Sequence, residues 1–279
     1  MRFCKMNGAG NDFIILNNLE EKLDHSVFPA VARTLCHRHL SIGADGLMVV
    51  EAPSQGGDHR MLFYNADGSQ GEMCGNGARC ICRYGYEQGL AGEEQRVETP
   101  SGMVIGRRID RRNYRIRLTE PSIIRLDYPV EAQGRTGPCA YVELGNPGLP
   151  HAVVPIHGLA HKTMDELRDL GRALRWNPAF PKGANVNFFD ITGDDQLREL
   201  TFERGVEDFT YACGTGTGSV VLVLTLKDLV SGNNVEVNVP GGTLHVTIDR
   251  QGSAVQAVWL TGPTNIVCVG EVRDEDLLL

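Results

Sequence analysis

A Cys-Gly-x-Gly box occurs twice in this chain, as Cys74-Gly75-Asn76-Gly77 and as Cys213-Gly214-Thr215-Gly216. Each box follows a strand-like run and opens a helix-like one. The surroundings repeat in register. Pro100-Ser101-Gly102 lies 26 residues after Cys74, and Pro240-Gly241-Gly242 lies 27 after Cys213. Phe63-Tyr64-Asn65 precedes the first box, and Leu200-Thr201-Phe202-Glu203 precedes the second. Both copies close on a hairpin pattern, 114–118 and 255–260. Matched spacing of this kind predicts two similar domains made from one plan.

The segments between the landmarks read mostly as strands: 12–16, 47–51, 62–65, 141–144, 185–190 and 197–203 are short β-rich or alternating runs. Helices are fewer. One is expected over 27–39. Another is expected over 163–175, opened by the capping box Thr163-Met164-Asp165-Glu166. The remaining two start at the boxes, 75–88 and 214–230. Gly89 stands where a helix-ending glycine belongs. The interior of the last helix, Val220-Val221-Leu222-Val223-Leu224, is apolar on every side, which predicts burial. The expected fold is therefore mixed α/β (α+β). Each half is a curved, mostly antiparallel sheet around one buried helix. The halves are expected over 1–125 and 126–263, with the tail 264–279 returning to the first sheet.

Composition narrows the function. Charged residues make up 22% and the formal net charge is −8, so no nucleic-acid partner is expected. The one basic cluster, Arg107, Arg108, Arg111, Arg112, Arg115 and Arg117, reads as a solvated hairpin face. No apolar run is long enough for a membrane span, and no apolar stretch follows Met1-Arg2 as a secretion signal. A cytoplasmic protein with reduced thiols is expected. Cys80-Ile81-Cys82 has no second pair to complete a tetrahedral metal set, so no metal is expected.

A thiol at a helix start sits beside amide donors and the positive end of the helix dipole, which lower its pKa and hold anions. Two such thiols in opposite protonation states form a base and an acid. Facing one substrate carbon from opposite sides, they invert a stereocentre by removing and returning a proton. The amides of Gly75, Asn76, Gly214 and Thr215 would bind the carboxylate that receives the developing charge. Taken singly, either box is an ordinary buried cysteine; the repeat is what points to a pair. Cys4, Cys36, Cys80, Cys82, Cys139 and Cys268 read as plain core or surface thiols.

These residues resemble diaminopimelate epimerase over nearly the whole chain. The matching stretches are Lys5 to Phe13, Ile42-Gly43-Ala44-Asp45-Gly46, Asn65-Ala66-Asp67-Gly68-Ser69, Glu72 to Cys80, Asn185-Val186-Asn187-Phe188, Glu203-Arg204-Gly205-Val206 and Ala212 to Gly216. The resemblance implies two pseudo-symmetric domains with the active site in the cleft between them. It implies no cofactor, pyridoxal phosphate included, and an acid–base pair of Cys74 and Cys213 acting in lysine and peptidoglycan precursor synthesis. It also implies an amino-acid substrate lined by Asn11, Asn65 and Asn185, with Glu203 and Arg204 on its far amino and carboxylate groups, and a homodimer.

Two departures from the family pattern stand out. His151 matches a motif histidine only if Leu149 replaces an asparagine, and Phe209 stands where an acidic residue is common. Phe209 is expected to alter a thiol pKa or narrow the cleft. Two other readings follow: a related two-thiol racemase of another amino acid, or a non-catalytic or redox-sensing relative on the same fold.

Overall fold

The computed structural model describes residues 1–71, 74–252, 254–273, 275 and 277. Glu72 and Met73 of the matching motif lie outside the described residues, as do Asp274, Asp276, Leu278 and Leu279 of the tail. The chain divides into two compact units, Met1–Ile116 with Gly262–Leu279, and Arg117–Thr261.

The first unit contains β1 (Arg2–Gly8), β2 (Asn11–Asn17), α1 (Asn18–Glu21), α2 (Phe28–Leu35), β3 (Gly46–Glu51), β4 (His59–Asn65), β5 (Gln70–Gly71), α3 (Gly75–Glu87), β6 (Glu94–Thr99), β7 (Gly102–Arg108) and β8 (Asn113–Arg117). The tail strand Asn265–Glu271 pairs antiparallel with β1. From there the sheet runs β1, β2, β3, β4, β6, β7, β8, with β5 laid on β4. Only β2–β3 and β4–β6 are parallel. One face buries Ile14, Leu16, Leu47, Val49 and Leu62 against Phe28, Val31 and Leu35 of α2. Helix α3 contacts β1 and β2 near one end of the sheet order and β7 near the other. The sheet therefore curls around α3, which is buried from Asn76 to Gly85.

The second unit contains β9 (Pro121–Arg125), β10 (Val130–Ala132), β11 (Arg135–Gly137), β12 (Ala140–Leu144), β13 (Leu149–Pro155), α4 (Met164–Arg175), β14 (Asn185–Gly193), β15 (Gln196–Glu203), β16 (Asp208–Thr210), α5 (Gly214–Leu226), β17 (Val235–Val239), β18 (Gly242–Gln251) and β19 (Ala254–Pro263). The tail strand is β20. The sheet runs β9, β12, β13, β14, β15, β17, β18, β19, with β16 laid on β15. Its parallel pairs are β13–β14 and β15–β17. Strand for strand, this is the pattern of the first unit. Helix α4 covers one face through Leu167 and Leu174, packed with Phe188 and Phe202. Helix α5 lies on the other face, against β12, β13, β14 and β18.

Local chemistry sets the helix ends. Thr163 and Glu166 form the reciprocal capping box that opens α4. Helix α3 closes when Gly89 adopts φ +68°, with the Gly89 and Leu90 amides donating to the carbonyls of Tyr86 and Gly85. Helix α5 closes in the same way on Asp228 and Leu229, four residues before the expected end at 230. The helix expected over 27–39 is also shorter. It ends at Leu35, and the chain turns through 37–40, where His37 Nδ1 accepts from the amides of His39 and Leu40. The four-residue α1 was not expected; the Asn17 side chain caps it by accepting from the Leu19 amide. The units divide at 116/117 rather than at 125/126, because β9 hydrogen-bonds to β12. The basic hairpin β7–β8 is an ion-paired surface, with Arg107 on Glu94 and Arg108 on Glu93. Among the described residues no helix is long and apolar enough to cross a membrane.

Candidate functional site

Cys74 and Cys213 are the N-cap residues of α3 and α5. Their backbones match, at φ −121°, ψ 121° and φ −118°, ψ 103°. Neither helix has a side-chain cap on its first amides. Both starts thus point first-turn N–H groups and the positive dipole end outward, which suits an anion. In each, the cysteine carbonyl accepts the first helical bond, from Ala78 and from Thr217.

In the first unit, a chain of hydrogen bonds runs from the helix to the sheet edge. Arg79 Nη2 donates to Asn76 Oδ1 at 2.7 Å. Asn76 Nδ2 donates to Asn11 Oδ1 at 2.7 Å. Asn11 Nδ2 donates to Asp45 Oδ2 at 3.0 Å. Beyond it, Arg38 bonds both Asp12 and Asp45, and Lys5 lies 3.1 Å from Asp12. The sequence-predicted Asn11 and Asn76 are therefore locked to each other with fixed amide orientations. Asn65 stands exposed at the end of β4, where its Nδ2 donates to Ser69 Oγ in the turn 65–69.

In the second unit, Cys213 is 7% exposed. Burial raises its pKa well above the ordinary thiol range, and the Glu203 carboxylate adds to the rise. The Thr215 hydroxyl lies 3.6 Å from its sulfur. Asn185 is buried and committed at both ends of its amide. Its Oδ1 accepts from the Arg204 amide at 2.8 Å, and its Nδ2 donates to the Pro150 carbonyl. Asn185 thereby ties the Arg204 turn to β13. Burial also raises the Glu203 carboxyl pKa. His151 is fully buried on β13 with Nδ1 3.3 Å from Asn187 Nδ2, and burial holds its pKa down at about 3. The imidazole is neutral at neutral pH.

A buried polar layer under α5 was missed by sequence reasoning. Asn187 Nδ2 donates to the carbonyls of Ala152 and Asn185. Thr201 donates to Asn187 Oδ1 at 3.1 Å and lies 3.4 Å from Glu199. Thr217 on α5 donates to Glu199 Oε2 at 2.6 Å. Burial pushes the Glu199 carboxyl up to about 8. Leu197, Glu199 and Thr201 share one parity of β15, but Leu200 and Phe202 on the other parity are buried as well, so alternation alone does not mark the carboxyl as inward.

Phe209 is half-buried on β16, its ring packed on Phe188 and Phe202 at centroid distances of 6.2 and 5.5 Å, against the edge of the apolar cluster. Cys36, Cys80, Cys82 and Cys139 are buried thiols pushed up to about 12, and Cys4 to about 11, so all five stay protonated. Cys268 is exposed.

Comparison with known proteins agrees with this arrangement. Diaminopimelate epimerase of Aquifex aeolicus (strain VF5) is 35% identical over 286 residues, covering 99% of both chains. That of Methanothrix thermoacetophila is 36% identical over 285 residues, covering 99% of this chain and 98% of its own. Among solved structures, a probable proline racemase from Agrobacterium radiobacter K84 superposes with TM-score 0.69 at 17% identity, over 97% of this chain and 92% of its own. A methylitaconate-delta-isomerase reaches 0.68 at 12% identity, over 98% and 95%. These two likenesses are of fold. The family profile named diaminopimelate epimerase matches residues 3–124 and 144–267, one stretch for each repeat. The chain belongs to the diaminopimelate epimerase family.

Proposed function

We propose that this protein interconverts LL- and meso-diaminopimelate by proton transfer between two thiols, those of Cys74 and Cys213. The observation that carries the reading is the pair of matching, uncapped helix starts, each with a cysteine at its N-cap, in a chain that matches the family along both repeats.

The reaction needs no change of oxidation state. One cysteine, as thiolate, takes the α-hydrogen as a proton. The electron pair left on the α-carbon spreads into the adjacent carboxylate as an enolate. The other cysteine, as thiol, gives its proton to the opposite face of the same carbon. Charge grows on the carboxylate oxygens, so preorganised donors there lower the barrier. The amides of Gly75, Asn76, Gly214 and Thr215 are the donors we assign. General acid–base groups of this kind contribute about 10²–10⁴-fold each. Asn11 and Asn65 are assigned to the substrate amino acid, and Glu203 and Arg204 to its distal amino and carboxylate groups. Asn185 and His151 support Arg204 and the Cys213 side. The cytoplasm is the matching compartment, since it keeps both thiols reduced.

The test is exchange in heavy water with no added cofactor. LL-diaminopimelate should gain deuterium at its α-carbon and convert to the meso form, while a panel of ordinary amino acids should not. Turnover of a monocarboxylic amino acid in preference to diaminopimelate would move the assignment to another racemase. Cys74→Ser and Cys213→Ser should each lose conversion by about 100-fold or more. Retained turnover in either variant removes that cysteine from the mechanism.

A further inference from the structure

The two repeats place different chemistry beneath their thiols. Gly77 and Gly216 are equivalent, three residues after each cysteine. A Cβ on Gly77 would meet Met48 Cε at 1.9 Å, and one on Gly216 would meet Asn187 Oδ1 at 2.0 Å. Met48 and Asn187 thus fill the same hole under the two helix starts. Met48 is opposite Phe63 in its sheet, where Asn187 is opposite Thr201. The layer under α3 is apolar at positions where the layer under α5 is polar and ends in the Glu199 carboxyl.

One further position reverses the contrast. Five residues after each cysteine stand Arg79 and Gly218. A Cβ on Gly218 would meet the Leu118 side chain at 2.5 Å, so apolar atoms occupy that place in the second unit. In the first unit the place holds a guanidinium that is 0% exposed. A helical side chain leans toward the N-terminus of its helix. Arg79 does so, and its bond to Asn76 lays the guanidinium along the first turn of α3. Among the described residues its Nε and Nη1 have no hydrogen-bond partner, and no described carboxylate pairs with it. A buried cation in this state is under strong demand for a negative neighbour. Among the described residues the ionisable groups that face it are Cys80 and Cys82 on α3 and Cys74 at its N-cap. Cys80 also faces Arg83 and, from β1, Cys4. Cys4, Cys80 and Cys82 are buried thiols that stay protonated. Cys74 is less buried than these three, and it lies at the uncapped helix start.

Around Cys213 the surroundings are acidic. Burial is the main cause of its raised pKa, the Glu203 carboxylate on β15 adds to it, and the largely protonated Glu199 lies beneath. The nearby His151 on β13 is neutral and itself feels Arg204. At the position equivalent to Arg79 the second repeat has Gly218, which carries no charge.

We infer that Arg79 sets the charge of the pair, its buried guanidinium at the first turn of α3 holding Cys74 as the thiolate of the resting protein while Cys213, buried beside Glu203, rests as the thiol. This rests on the two-thiol reading above and deepens it. Arg79 is a positioning residue that acts through Cys74. The resting form is then ready for the isomer whose α-hydrogen meets Cys74. Each such turnover leaves Cys74 protonated and Cys213 charged. That form must return a proton from Cys74 to solvent and take one onto Cys213 before the next cycle in the same direction.

The test is the pH dependence of iodoacetamide alkylation at each cysteine, read by peptide mass spectrometry. Alkylation consumes the thiolate and releases iodide, so the midpoint of each curve reports thiolate formation, whatever the plateau rate. In the wild type, Cys74 should have its midpoint at lower pH than Cys213. In Arg79→Met the Cys74 midpoint should rise by about one pH unit or more, with Cys213 unmoved. Arg79→Lys should restore part of the shift. A Cys213 midpoint at or below that of Cys74 in the wild type overturns the inference without any variant. So does an unmoved Cys74 midpoint in an Arg79→Met protein that melts cooperatively. The heavy-water assay reports separately on the proposed reaction. Failed epimerisation with an intact labelling asymmetry rejects the substrate and spares Arg79; normal epimerisation with no asymmetry does the reverse.

Discussion

The Thr217 hydroxyl donates a 2.6 Å hydrogen bond to Oε2 of Glu199, pinning the first turns of α5 to the middle of β15. The carboxyl is fully buried, and burial pushes it up to about 8. It is therefore largely protonated at neutral pH. Between the ordinary carboxylate range and pH 8 the folded state holds a proton that the unfolded chain has released. Stability should fall as pH rises through that window, and level off above it. Glu199→Gln copies the neutral form and should flatten the slope, leaving the variant the more stable protein above pH 8. Glu199→Ala should cost about 1–3 kcal/mol at pH 5, because Thr217 loses its acceptor, and that cost should shrink as pH rises toward 8, since the variant has no buried carboxyl to ionise. Urea unfolding from pH 5 to 9 checks both.

His151 works in the opposite sense. Its folded pKa of about 3 lies below the unfolded value near 6.5, so the unfolded chain takes up a proton first as pH falls. Stability should decline from about pH 6.5 toward pH 3. In the wild type this decline overlaps the gain from Glu199, and the two partly cancel around pH 5–6. His151→Gln should remove the acid decline and expose the Glu199 slope alone. Unfolding midpoints of the single variants and the double variant resolve the two contributions.

Gly77→Ala and Gly216→Ala should differ despite equivalent positions. Both gain roughly 1 kcal/mol of helix propensity. At Gly77 the obstruction is the terminal methyl of Met48, the far end of a flexible chain. At Gly216 it is Asn187 Oδ1, whose amide is tied to Ala152, Asn185 and Thr201. Gly216→Ala should be the less stable by about 1–3 kcal/mol, measured by urea unfolding.

Asn185 and Arg204 separate stability from binding. Arg204→Ala should leave the melting temperature nearly unchanged and raise KM for diaminopimelate about tenfold or more, if Arg204 holds the distal carboxylate. Asn185→Ala orphans the Arg204 amide and should lower stability by about 1–3 kcal/mol as well as raising KM. Steady-state kinetics beside thermal melts tell them apart. An unchanged KM in Arg204→Ala removes the distal contact.

Much of the fold was legible because its signals are local. The capping box at Thr163, the all-apolar run at 220–224 and the alternating strands each depend on a few adjacent residues. Helix ends were less legible. Asp228 adopts φ +52° to close α5, and no glycine marks the place. The packing of the Phe209 ring on Phe188 and Phe202 was not legible, because those residues lie 21 and seven positions away in the chain.

The sequence by itself determined the repeat, the two cysteines at helix starts and the family, since these rest on residue identity and spacing along the chain. Only the tertiary structure decided what lies beneath each thiol. Arg79 on a helix and Glu199 on a strand look like ordinary solvent-facing charges in a linear reading. Burial leaves one a desolvated cation with no carboxylate partner among the described residues, and makes the other a protonated acid. Desolvation depends on every element packed around a group, and no short stretch of sequence records that.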